Sequence, residues 1–174
     1  MQMQATKNWS EFRPGEIIKH FTQEPPVDVV SLAEALGLRV WEKSLPNISG
    51  MVTPDQLNGG RSGYSIYVNA EDPLNRRRFT IAHEIAHYLL HRKRMPEFKD
   101  DRMYRSPGLS DDVEAEANRL AADILMPRRI IRKLLDQGVD DPRIMASRLM
   151  VSPDAMEIRL GLRSRFNTKA PRRF

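Results

Sequence analysis

Cysteine is absent from the sequence. Disulfides and thiolate metal sites are therefore excluded, and a chain without them suits a reducing cytoplasm. Long apolar runs are missing too. The first thirty residues hold no continuous hydrophobic stretch, so neither a signal peptide nor a membrane span is expected. No internal repeat or low-complexity tract occurs. Histidine is scarce, with four in 174 residues, and three of the four lie between His83 and His91. That clustering is the strongest chemical signal in the chain.

The length suits one domain with room for a small appendage. A net charge of +5 and a pI of about 9.7 allow contact with nucleic acid or an acidic partner. A solvated basic surface is the plainer reading and is preferred, because no base-reading motif stands out.

The stretch Arg78 to His91 contains H-E-x-x-H, formed by His83, Glu84 and His87. On a helix, residues i and i+4 sit about 40° apart around the axis and about 6 Å along it, so two imidazoles can converge on one ion. A catalytic zinc takes three protein ligands and leaves a position for water. Glu84 lies beside that stripe, where a carboxylate can take a proton from water and return it to a leaving amine. At 100° per residue Phe79, Ile81, Ala82, Ile85, Ala86, Leu89 and Leu90 fill one broad arc, which predicts the core face. His83, Glu84, His87 and His91 share the opposite arc. His91 is about 12 Å from His83 along the axis, too far to share a tetrahedral site with it. It is read as a residue at the cleft edge or as a support for a ligand.

Around this helix the chain punctuates itself. Pro14-Gly15 opens a helix ending before Pro25-Pro26, and Val27 to Leu36 forms a second, stopped by Gly37. Leu38 to Glu42, Ile48 to Val52 and Tyr64 to Asn69 read as strands, with a turn-rich loop over 55–63. If the third strand ends beside the metal helix, its free edge can pair with an extended peptide. Residues 1–13 are expected to fray, and 92–108 to form a long lid-like loop. Ser110 or Asp111 caps a further helix running to Met126. Arg128 to Gln137, Pro142 to Met150 and Pro153 to Leu162 follow as helices, then a basic tail.

The third ligand is to be sought among Asp111, Asp112, Glu114, Glu116 and Asp123. Glu114 is favoured because it borders the buried stripe of Val113, Ala117, Leu120, Ala121 and Ile124. Acids near a helix start also serve the dipole, so geometry alone leaves the choice open. Asn118 follows on the side of Glu114 and can accept the outer N–H of a ligating histidine.

The segments RRFTIAHEIAHYLLH and EAEANRLAADILMP strongly resemble the ImmA/IrrE-type metallopeptidases. The likeness covers residues 48–127 well and the remainder more loosely. It implies a gluzincin-like site with one zinc ion, in which His83, His87 and Glu114 are ligands, Glu84 is the catalytic base and Asn118 supports a ligand. It also implies a protein substrate, namely a helix-turn-helix repressor whose cleavage relieves repression of stress or mobile-element genes. Leu120 departs from the Phe common in the family, which touches packing rather than chemistry. Tyr88 and Tyr104 are the candidates for stabilising an oxyanion.

These readings predict an α+β fold. A small three-stranded, mainly antiparallel sheet packs on the HExxH helix and a ligand helix in a zincin-like core over 1–127. A small helix-turn-helix-like subdomain over 128–165 and a basic tail over 166–174 follow. The expected activity is that of a cytoplasmic zinc endopeptidase of narrow specificity with no membrane association. The rival is a DNA-binding regulator built on Arg143 to Leu160, with Arg159, Arg163 and Arg165 on phosphate, although Met150 stands where a turn glycine is usual. A simple packing subdomain, with weak nucleic-acid contact through the basic C-terminal region, is the plainer view of that segment. A third reading keeps the zinc but acts by binding, as a toxin paired with a neighbouring repressor.

Overall fold

Alternating aromatic and β-branched side chains make Tyr64–Asn69 a strand, β3, and it is the middle one of three. The computed structural model describes residues 7–94 and 111–163. Leu38–Lys43 (β1) pairs parallel to β3, with Val40 opposite Ile66. Gly50–Pro54 (β2) pairs antiparallel on the other side, with Val52 also opposite Ile66.

The sheet is therefore mixed rather than mainly antiparallel. Residues 44–49 carry the chain past one strand position after β1, and β3 returns into the gap. This also corrects the expected docking edge. Both sides of β3 are occupied, and among the described residues the free edges belong to β1 and β2.

The helices are Pro14–Phe21 (α1), Val29–Ala35 (α2), Leu74–His91 (α3), Asp111–Leu125 (α4), Arg128–Asp136 (α5), Pro142–Leu149 (α6) and Pro153–Arg159 (α7). Asp28 caps α2 by accepting from the Ser31 N–H, and Gly37 ends it at φ +91°. The basic run before the motif is already helical, since α3 begins at Leu74, just after Pro73. Its core face holds Ile81, Ala82, Ile85 and Ala86, but Leu90, expected inside, is half exposed.

One apolar cluster joins Leu32 and Leu38 to Ile66, Ile85, Ile124, Ile130, Met145 and Met156. It thus runs from α2 and the sheet through α3 and α4 into the last three helices. Polar ties add to it: the Asn75 side-chain amide donates to the Val151 carbonyl at 3.2 Å, and Arg78 Nε to the Met150 carbonyl at 3.3 Å. Met150 itself adopts φ 53°, so the left-handed corner between α6 and α7 forms without glycine. The N-terminal segment is not wholly frayed. Trp9 and Phe12 pack against the core, and the Trp9 ring meets His20 and Phe21 at a tilt. Residues 1–6, Ser110, Tyr104, Arg165 and the tail lie outside the described residues, as does most of the expected lid-like loop.

Gly50 sets how closely β2 approaches α3. A Cβ there would collide with Thr80 Cγ2 and come within 2.8 Å of the Tyr67 carbonyl oxygen. Gly50→Ala should therefore cost about 1–3 kcal/mol through overpacking, read as a lower Tm. Adding Thr80→Ser removes the opposing methyl and should recover part of the loss. An unchanged Tm in Gly50→Ala would contradict this packing account.

Candidate metal centre

Each residue of the run before the motif has a mechanical task. Arg77 pairs with Glu42 of β1 at 2.5 Å, Arg78 holds the α6–α7 corner, and buried Thr80 lies under Gly50. Phe79 stacks on His83, with ring centroids 6.1 Å apart. The helix bearing His83, Glu84 and His87 is thus anchored to the sheet on one side and to the C-terminal helices on the other.

From α4, Glu114 reaches the two histidines. Its carboxylate oxygens lie 3.4 Å from His83 Nε2 and 3.3 Å from His87 Nε2, and the two Nε2 atoms are 2.9 Å apart. Among the described residues, His83, His87 and Glu114 form a group that could hold a metal ion. A tetrahedron with zinc-like bonds has edges of about 3.3 Å, close to these separations.

The hydrogen-bond directions strengthen the fit. Asn118 Oδ1 is 3.1 Å from His83 Nδ1. A carbonyl oxygen only accepts, so that ring nitrogen carries the hydrogen and Nε2 keeps its lone pair. A second such nitrogen on His87 would give, with the carboxylate, an array of acceptors with nothing to donate between them. A cation resolves that repulsion.

The other acid candidates are placed elsewhere. Asp111 and Asp112 are exposed in the first turn of α4, Asp123 pairs with Arg159 at 2.6 Å, and Glu116 lies 3.0 Å from His91 Nε2. His91 is buried and meets His87 Nδ1 at 3.2 Å through its own Nδ1. The sequence put His91 near the cleft but did not foresee Glu116 beside it. The only signal was a second acid on α4, at a position that the helical wheel turned away. Tyr88 turns to the core. It meets the Tyr64 ring at 5.1 Å, and its hydroxyl accepts from Arg92 at 3.0 Å.

Burial governs the charges. It holds both His83 and His87 below the usual histidine pKa, with the neighbouring His83 charge adding to the effect at His87. Neutral imidazoles are the form a metal needs. Glu84 is buried, and desolvation pushes it up to about 7, helped by the charge of Glu114 and opposed by the Val52 N–H. Ser49 accepts from the Asn69 N–H and Asp55 donates to the Gly63 carbonyl just before β3, so by alternation the Val52 N–H points out along the free edge of β2. Glu84 and that edge therefore meet.

No curated protein matches the sequence. A solved structure of a Mycobacterium tuberculosis transcriptional regulator is similar at a TM-score of 0.55 and 19% identity, covering 87% of this chain and 48% of the regulator. That likeness concerns the fold, and the present chain spans about half the regulator's length. The α+β architecture and the ImmA/IrrE-type resemblance agree with a family match over residues 33–161, roughly three quarters of the chain. With the HExxH helix, the second acid-bearing helix and the mixed sheet all inside that span, the chain belongs to the peptidase family described as the IrrE N-terminal-like domain.

Proposed function

We propose that the chain is a zinc-dependent endopeptidase of narrow specificity, acting in the cytoplasm on a helix-turn-helix repressor. The observation that carries this reading is the convergence of His83, His87 and Glu114 beside a buried Glu84. In it, His83, His87 and Glu114 hold one zinc ion and Asn118 orients His83. Bound zinc supplies Lewis-acid polarisation of the scissile carbonyl and acidifies water. Glu84 takes a proton from the attacking water on a carboxylate oxygen and delivers it to the departing amine nitrogen. Burial holds that carboxyl at about 7 in the metal-free chain, and a cation beside it would favour the carboxylate that accepts the proton. An extended substrate segment aligns along the free edge of β2, where backbone groups give affinity without demanding a sequence.

The DNA-binding alternative is weaker on local charge. Helix α7 carries Asp154 and Glu157. Arg163 is drawn to both, at 2.6 and 3.5 Å, and Arg159 is tied to Asp123 and to the Met126 carbonyl. A helix so arranged offers phosphate little unpaired positive charge. Among the described residues no helix is long and apolar enough to cross a membrane.

The test is direct. The full zinc-loaded chain, mixed with a helix-turn-helix repressor encoded in a neighbouring reading frame, should produce a discrete cut that a chelator stops. A repressor that binds zinc-loaded protein yet stays whole would favour the toxin-like alternative of action by binding.

A further inference from the structure

We infer that His91 and Glu116 act as positioning residues, a relay that fixes His87 in its metal-ligating tautomer. The inference rests on the metal reading above and concerns two residues outside the proposed ligand set. His91 is 2% exposed and uses both ring nitrogens, Nδ1 toward His87 Nδ1 at 3.2 Å and Nε2 toward Glu116 Oε2 at 3.0 Å.

Two imidazole nitrogens facing each other share one hydrogen, and their own geometry does not say which ring owns it. Glu116 decides. A carboxylate accepts only, so His91 Nε2 carries the hydrogen. In this relay His91 is the neutral partner, with its one N–H on Nε2, which leaves Nδ1 as an acceptor. His87 must then donate from Nδ1, and its Nε2 lone pair is aimed at His83 Nε2 and Glu114. Asn118 does the same for His83 in one step. A core histidine that merely needs satisfying has no reason to end its chain on the nitrogen opposite a donor cluster. The i, i+4 spacing stacks His91 one turn beyond His87, and α4 brings Glu116 from the neighbouring helix. Such outer partners raise ligand basicity and hold the ring plane.

Zinc affinity of the full chain, read by chelator competition, tests the relay. His91→Leu should lose about 10–100-fold, and Glu116→Ala should lose affinity in the same sense. His91→Asn, whose side-chain oxygen can replace the accepting Nδ1, should recover most of the loss. The double variant His91→Leu/Glu116→Ala should bind no worse than His91→Leu, since in this relay Glu116 reaches the ligand His87 through His91. Glu116 is the safer site if His91→Leu does not fold, because its side chain is 56% exposed. Long-range proton–nitrogen NMR of the zinc-free chain should find the His87 hydrogen on Nδ1, and a mixture in Glu116→Ala. Wild-type zinc affinity in both single variants, fully additive losses, or a His87 hydrogen on Nε2 would each overturn the relay. A wild-type chain that takes up no metal would instead overturn the metal reading beneath it.

Discussion

Glu84→Gln should keep its zinc and lose cleavage by about a thousandfold, within the 10²–10⁴ range that a positioned general base contributes. The amide fills the same buried space, and the donor atoms of His83, His87 and Glu114 are untouched. What disappears is the proton acceptor. The measurement is kcat on a cut repressor, alongside zinc stoichiometry. Normal cleavage by a zinc-replete Glu84→Gln chain would remove Glu84 from the chemistry.

The same variant carries a pH signature. Without metal, burial holds Glu84 at about 7, so at pH 6 the folded chain keeps that carboxyl mostly protonated. A divalent cation beside it favours the carboxylate. Zinc uptake at pH 6 should therefore release about one proton from Glu84, fading as pH rises past 7. Glu84→Gln should abolish that release. The histidines add little, because burial already keeps them neutral. Stability against pH is a poorer readout. A raised Glu84 stabilises the metal-free fold below its unfolded value of 4.5, and that stabilisation is lost as pH rises through about 7. A lowered His87 works in the opposite sense, its contribution present above 6.5 and lost on acidification. The two largely offset, whereas proton release on zinc binding isolates Glu84.

Local chemistry explains what the sequence made legible. β3 was readable to the residue because its alternation is strong and turn residues flank it. The HExxH helix was readable because its polar stripe is complete and its apolar arc fails only at Leu90, near the helix end. Pairing was not readable: nothing in Leu38–Lys43 says that its partner runs parallel, since that depends on where the chain goes after residue 49. The free edge was consequently assigned to the wrong strand. Glu116 was missed for a related reason. A helical wheel ranks α4 positions against the core, but His91 lies a turn beyond His87, and how α4 crosses α3 decides which flank reaches it. Thr80 and Gly50 likewise look unremarkable in the sequence and acquire meaning only from their contact.

Glu114→Ala should cost more zinc affinity than any change in the supporting residues, beyond the about 100-fold ceiling usual for outer partners. Sequence geometry left five acids open, and four now have other surroundings: two at the exposed start of α4, one on Arg159 and one on His91. Glu114 alone of the five joins His83 and His87. Its side chain is 45% exposed, so truncation opens no core cavity and the fold should persist. Apo-protein Tm should stay within about a degree or two, as for a surface substitution, while chelator competition reports the loss. Asp111→Ala and Asp112→Ala, on the same first turn, should leave affinity near wild type, which separates a direct ligand from a general loss of negative charge. If Glu114→Ala still binds one zinc at wild-type affinity, the third donor must come from another segment, and the pairing of α3 with α4 would be structural rather than chemical.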